Sequence, residues 1–223
     1  MSRLPWAVWL ILAMVGCSGG SETPSSPSEV PGLSSALALT RGSWDTISDP
    51  AAFPLRNDAG SHLVFDFPAT GSINYLYNSQ PPRVIGGALS ISLQVSASDS
   101  AIFNFMTEPF NTCPTPASVR PLIWTNRNGF GDFDRWWANQ TAYVLAPGAT
   151  TMTVALTPDQ WSNVNGTLGS AGAAAQAGFA AALRNVSSLG LTFGGGCFFG
   201  HGVNVPRGTA TFTLLRYGVQ NAP

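Results

Sequence analysis

The chain has 223 residues, of which 44% are hydrophobic and only 9% charged, against roughly a quarter in an ordinary globular domain. Its ten basic residues are all Arg, and with eleven acidic ones the formal net charge is -1. That balance excludes the concentrated basic surface that nucleic acids or anionic membranes require, and an aromatic content of 11% excludes disorder of the whole chain.

Residues 1–16 read as an export signal. Arg3 supplies the positive start, and Leu4 to Val15 is an uncharged apolar run, too short for a spanning helix of about 20 residues. Met14-Val15-Gly16-Cys17 resembles the bacterial lipobox, which implies that Cys17 is lipidated and becomes the mature N-terminus, with Met14 where an aliphatic residue is usual. The alternative is an ordinary signal peptide followed by a chance Cys. Residues 17–33 then form a tether: Ser18 to Pro31 has almost no apolar side chain to bury, and Pro24, Pro27 and Pro31 extend it. A multi-acyl anchor holds stably where a single chain does not. Ser18, rather than Asp, after the Cys implies the outer membrane by the sorting logic of such lipoproteins. Once Cys17 is set aside, Cys113 and Cys197 remain, an even pair in an oxidising compartment, and are expected to form a disulfide. Two buried free thiols are the alternative; with His62 and His201 as the only His and no close Cys pair, zinc is not expected.

From residue 34 to residue 223 the pattern is that of one all-β domain without internal repeats. Leu63, Phe65 and Phe67 alternate with Val64 and Asp66, and Leu89, Ile91, Leu93 and Val95 alternate with Ser90, Ser92 and Gln94. Ser72–Tyr77, Ala101–Met106, Val119–Trp124 and Val186–Phe193 are further short strands. Met152, Val154 and Leu156 alternate with Thr151, Thr153 and Ala155. Near the end Ala210, Phe212 and Leu214 change phase to Leu215, Tyr217 and Val219, as a bulge would produce. Two helical pieces interrupt the strands. Thr157-Pro158-Asp159-Gln160 has the capping-box arrangement, and Gly172 to Asn185 is Ala-rich, with Phe179 and Leu183 one turn apart. The expected fold is a jelly-roll β-sandwich with one or two short helices.

Trp161, Gly166, a helix ending in Ala182-Leu183-Arg184-Asn185-Val186 and then Leu189-Gly190-Leu191 resemble, in spacing, the C-terminal half of galactose-binding-like jelly rolls. Laminin-B-type domains and many carbohydrate-binding modules belong to that group. The resemblance covers the last third of the chain. It implies a sandwich closed by the last strand, Thr209–Val219, and allows a structural Ca2+ at no assigned residue; no other cofactor is expected.

The densest chemistry lies in the segment from Trp124 to Trp137, a Gly- and Asn-rich loop carrying Trp124, Arg127, Asp132, Asp134, Arg135, Trp136 and Trp137. Aromatic faces stack on sugar rings, and Arg and Asp make directional hydrogen bonds to hydroxyls, so the loop suits a saccharide or similar polar ligand. The competing expectation is that one Trp caps the core, since neighbours on a strand face opposite sides, while Arg127 and Arg135 pair with Asp132 and Asp134. Gly194-Gly195-Gly196-Cys197-Phe198-Phe199-Gly200-His201-Gly202 calls for positive φ angles or close backbone approach. A disulfide at Cys197 would bring His201 toward the Trp cluster; the alternative for His201 is a hydrogen-bonded turn residue.

Catalytic signals are sparse: no Gly-x-Ser-x-Gly elbow, no His-Glu-x-x-His, and no EF-hand spacing around Asp132-Phe133-Asp134. Two functions are consistent with these features. One is an exported, lipid-anchored module that binds a polar ligand, above all a carbohydrate. The other is a structural or interaction lipoprotein of the cell envelope.

Overall fold

The computed structural model describes residues 33–49, 54–105, 116–139, 141–195 and 199–220. Cys17, Cys113 and Cys197 lie outside them, as do the expected signal and most of the tether, so the lipidation and disulfide expectations fall outside the described structure. Among the described residues the strands are β1 (Leu33–Ala36), β2 (Trp44–Asp49), β3 (Arg56–Asn57), β4 (Leu63–Asp66), β5 (Ser72–Asn78), β6 (Ala88–Ala97), β7 (Ile102–Phe105) and β8 (Ser118–Trp124). They continue as β9 (Arg135–Ala138), β10 (Tyr143–Val144), β11 (Gly148–Ala155), β12 (Trp161–Asn163), β13 (Ser188–Gly194), β14 (Val203–Arg207) and β15 (Ala210–Gln220), with one helix, α1 (Ala173–Arg184), between β12 and β13.

These strands form two antiparallel sheets, and the fold is an all-β sandwich. The six-stranded sheet runs β11-β6-β15-β4-β3, with β1 also on β15. The nine-stranded sheet runs β12-β9-β8-β13-β5-β14-β7, with β10 on β8 and β2 on β5. Period-2 alternation explains the inner face of the smaller sheet: Leu89, Ile91, Leu93 and Val95 of β6 and Met152 and Val154 of β11 all enter the core. On β15 the register slips between Leu214 and Arg216. Leu214 and Tyr217 therefore both face inward, and the expected bulge is present. The Tyr217 hydroxyl then reaches across the sandwich and donates to the Gly190 carbonyl on β13 at 3.3 Å; burial pushes its pKa up.

Three expectations need correction. Thr157-Pro158-Asp159-Gln160 begins no helix: the Gln160 N–H closes a turn onto the Thr157 carbonyl at 3.0 Å, and the chain continues directly into β12, paired Trp161 to Ala138 on β9. Sheet pairing overrides the local capping signal there. The segment from Trp124 to Trp137 is not a single loop but a hairpin, because Trp124 closes β8 opposite Arg135 of β9 and only residues 125–134 connect them. Leu33, placed at the end of the tether, already pairs with β15.

The Ala-rich helix forms as expected, with Asn185 following it and the Asn185 N–H bonded to the Ala182 carbonyl. Ala175, Phe179 and Ala182 are its buried residues. Phe179 sits edge-on to Trp136 (5.1 Å between ring centroids) and stacked on Trp161 (6.1 Å), so the helix plugs the end of the inter-sheet core.

Candidate functional site

An antiparallel sheet in a sandwich ordinarily buries one face and wets the other. The nine-stranded sheet buries both over its centre. Trp136, Ile123, Leu189 and Leu191 point into the sandwich, whereas Tyr75, Tyr77, Leu122, Trp124 and Trp137 form a separate apolar cluster on the opposite face. The register makes this a continuous row: Tyr77 lies opposite Gly190, Gly190 opposite Leu122, Leu122 opposite Trp137, and Trp137 opposite Ser162. Neighbouring rows add Tyr75–Thr192–Arg120 and Ser188–Trp124–Arg135. A slip at Asn74 between β2 and β5 lets Ile73 face the core while Tyr75 faces outward.

Gly190 is the position that permits the row. A Cβ there would run into the Leu76 carbonyl oxygen and within 2.8 Å of the Tyr77 Cα, both backbone atoms. Gly200 holds the rim. It adopts φ +78, where side chains are strained, and a Cβ would strike the Tyr75 hydroxyl. The Asn74 Nδ2 fixes this turn by donating to the Gly200 carbonyl at 3.0 Å.

Loop 125–134 and the turn at 199–202 stand over this face, and between them lies a cleft of about 170 Å3 lined by Tyr75, Phe130, Arg135, Trp137, Asn163, Val164, Gly166, Phe199 and His201. Arg135 is its charged wall. The guanidinium donates from Nε to the Gly129 carbonyl and from Nη2 to the Arg127 carbonyl, each at 3.1 Å. It also packs 3.8 Å from the Phe130 ring centroid and 5.3 Å from that of Trp124. Phe130 itself is 72% exposed, a flat ring at the mouth. On the floor, Asn163 accepts the Asn165 and Thr167 N–H groups at 3.0 and 2.9 Å and so shapes the β12 turn.

The polar chemistry of this face is incompletely satisfied. Among the described residues, the buried side-chain atoms without a hydrogen-bond partner are Arg120 Nε, Trp124 Nε1, Trp137 Nε1, Ser162 Oγ and Thr192 Oγ1. All five belong to the outward rows of the nine-stranded sheet. Such groups are costly in a finished interior and call for an explanation site by site. Burial pushes the Tyr75 and Tyr77 phenols above their ordinary pKa of 10, with Arg135 opposing the rise at Tyr75 and the Asp45 carboxylate adding to it at Tyr77. Both stay neutral donors at physiological pH. Burial lowers the pKa of Arg120, whose Nη1 bonds the Ala138 and Asn139 carbonyls at 3.3 and 2.7 Å and whose guanidinium lies 4.1 Å over Phe199.

Of the residues singled out in the sequence, Arg135, Trp137 and His201 meet in the cleft, with Trp124 packed in the same aromatic layer. The others do not join them. Trp136 is an inter-sheet core residue whose indole N–H bonds the Phe133 carbonyl at 3.2 Å. Arg127 is exposed and turns to Tyr77, bonding its hydroxyl at 3.0 Å. Asp132 accepts from Asn165 at 2.8 Å, and Asp134 accepts the Gly131 N–H at 2.8 Å. The expected Arg–Asp pairs are thus absent among the described residues: Arg135 and Asp134 bond backbone groups of the hairpin loop itself, while Arg127 and Asp132 turn to Tyr77 and Asn165 outside it. Of the adjacent pair only Trp136 enters the inter-sheet core; Trp137 is buried as well, but on the opposite face, and the two are 0% and 5% exposed.

Sequence reasoning missed Tyr75, Tyr77, Arg120, Asn163 and Phe199. A partial signal was available for Tyr75 and Tyr77: Ser72–Asn78 (SINYLYN) sets Tyr75, Leu76 and Tyr77 side by side, so large side chains fall on both faces of the strand. Nothing local marks Asn163 or Phe199, which reach the site by folding.

No group of three or more His, Cys, Asp or Glu able to hold a metal occurs among the described residues, and no helix there is long and apolar enough to cross a membrane. Neither a family model, nor a curated protein, nor a solved structure matches the chain.

Proposed function

We propose that the chain is an exported, lipid-anchored envelope protein whose β-sandwich binds a polar ligand, a carbohydrate, without transforming it. The supporting observation is the cleft on the outward face of the nine-stranded sheet, where an exposed aromatic ring, Phe130, stands beside the guanidinium of Arg135, which bonds only neutral carbonyls. Rings supply the flat apolar contact that sugar faces accept, and convergent donors supply orientation. The Met14-Val15-Gly16-Cys17 motif and the Ser/Pro tether support an anchored module held off a membrane, and the outer membrane is the proposed location.

A glycan array probed with the purified protein tests the binding reading, with Phe130→Ala as the control. Because Phe130 is exposed, its removal should leave thermal stability within about 0.5 kcal/mol while weakening the captured glycan by roughly tenfold. A folded protein that captures no glycan would favour the interaction-lipoprotein reading instead. For the anchor, Cys17→Ser should move the protein from the membrane to the soluble fraction; unchanged detergent partitioning refutes it.

A further inference from the structure

The charge balance around the cleft is lopsided. Arg135 is only 6% exposed, yet no carboxylate pairs with it: among the described residues the ion pairs are Arg56–Asp66 and Asp58–His62, both in the six-stranded sheet or its β3–β4 turn. The acidic residues nearest in sequence, Asp132 and Asp134, are held by Asn165 and by the Gly131 N–H, and neither lines the cleft. A guanidinium has five N–H donors. Two go to the Gly129 and Arg127 carbonyls, one from Nε and one from Nη2, and the Nη1 group and the second Nη2 hydrogen are left. Arg120, on the same face, is likewise bonded only to neutral carbonyls and packed on Phe199. Buried charge is normally paired, since desolvating a lone cation is costly. Here two cations share one sheet face with aromatic rings and with orphaned Trp137 and Thr192 donors.

We infer that the saccharide taken by this cleft is an acidic one, a sugar bearing a carboxylate that seats against Arg135 while the sugar ring lies on Phe130. This rests on the carbohydrate reading above. A carboxylate has two oxygens to accept from the remaining guanidinium donors, and a planar guanidinium favours that geometry. A neutral sugar would leave Arg135 as uncompensated as it is now.

The test is calorimetric titration of the purified full chain with uronic-acid oligosaccharides of the gluco, galacto and manno series, each against its methyl ester, which keeps the ring and removes the charge. At least one acid should bind about tenfold or more tighter than its ester, the size expected of hydrogen bonds to a charged group. The difference should shrink in about 0.5 M NaCl, where screening shortens to a few ångström. Arg135→Gln, which keeps amide donors for the loop carbonyls but removes the charge, should abolish the preference. Should that variant lose thermal stability, the ester and salt comparisons carry the test alone. Esters binding as tightly as acids would overturn the inference and leave the carbohydrate reading standing. If no member of either series binds and the array is also blank, both fall. Tri-glutamate binding as tightly as the uronates would show that charge alone is read, and would overturn the sugar assignment.

Discussion

Trp136 and Trp137 are adjacent on β9 and face opposite ways, so replacing each by Ala probes the two sides of the nine-stranded sheet separately. Both rings are buried, at 0% and 5% exposure. A buried Trp removes about 150–250 Å2 from water, worth up to about 4–6 kcal/mol at 25 cal/mol/Å2. Core Trp-to-Ala changes commonly cost about 3–5 kcal/mol. Trp136→Ala should fall in that range, since it opens a void against Phe179 and also frees the Phe133 carbonyl from its 3.2 Å hydrogen bond. Trp137→Ala should cost somewhat less, about 2–4 kcal/mol, because the lost indole N–H is already unpartnered and its removal recovers roughly 1 kcal/mol of desolvation. For a domain of this size each kcal/mol lowers Tm by about 2–4 °C, so Trp137→Ala should melt roughly 4–16 °C early. Urea denaturation followed by circular dichroism supplies the free energies, with a shared m-value as the check that the denatured states agree. A Trp137→Ala protein that melts with the wild type, while Trp136→Ala does not, would refute the claim that the outward face is a packed second layer.

Gly190→Ala should be among the most damaging small substitutions, at several kcal/mol, because the added methyl meets the backbone of Leu76 and Tyr77; a soluble variant with unchanged Tm would count against the register described for β5 and β13. Asp66 accepts both Arg56 nitrogens and the Thr211 hydroxyl, and these bonds, that of Arg56 first, hold its pKa below the ordinary 3.8. A depressed carboxylate stabilises the fold above pH 3.8 and loses that contribution as pH falls through the lowered value. Asp66→Asn should therefore cost up to about 1 kcal/mol at pH 7, given its surface position, and progressively less as the pH falls below 3.8; a pH-independent difference in urea midpoints would contradict this. Tyr75, Tyr77 and Tyr217 all have raised pKa values. In ultraviolet titration they should stay protonated past pH 10 in the folded protein and ionise together on alkaline unfolding, so stability should fall as pH rises above 10. Smooth ionisation near pH 10 without loss of structure would show that the two outward phenols are solvated.

What the residues specify alone is what has a local period. The alternation of β6 and β11, the phase change in β15 and the helix over Gly172–Asn185 were all legible, because burial of one face imposes a spacing of 2.0 or 3.6 that neighbouring residues carry by themselves. The all-β sandwich follows from that. The site was only half legible. Composition drew notice to Arg135, Trp137 and His201, which do meet, but assigned Asp132, Asp134 and Trp136 to them as well, because proximity in sequence says nothing about which face a hairpin presents. Tertiary structure decided that the nine-stranded sheet is covered on both sides. That depends on loop 125–134 folding back and on Phe199, some sixty residues away from Trp137 in the chain, coming within 6.2 Å of its ring. It also decided that Arg135 is a buried cation facing carbonyls and rings rather than aspartates. A carboxylate a few residues away is a pairing partner only if the backbone brings it there; here Asp134 bonds the Gly131 N–H within the loop and Asp132 the Asn165 side-chain amide outside it.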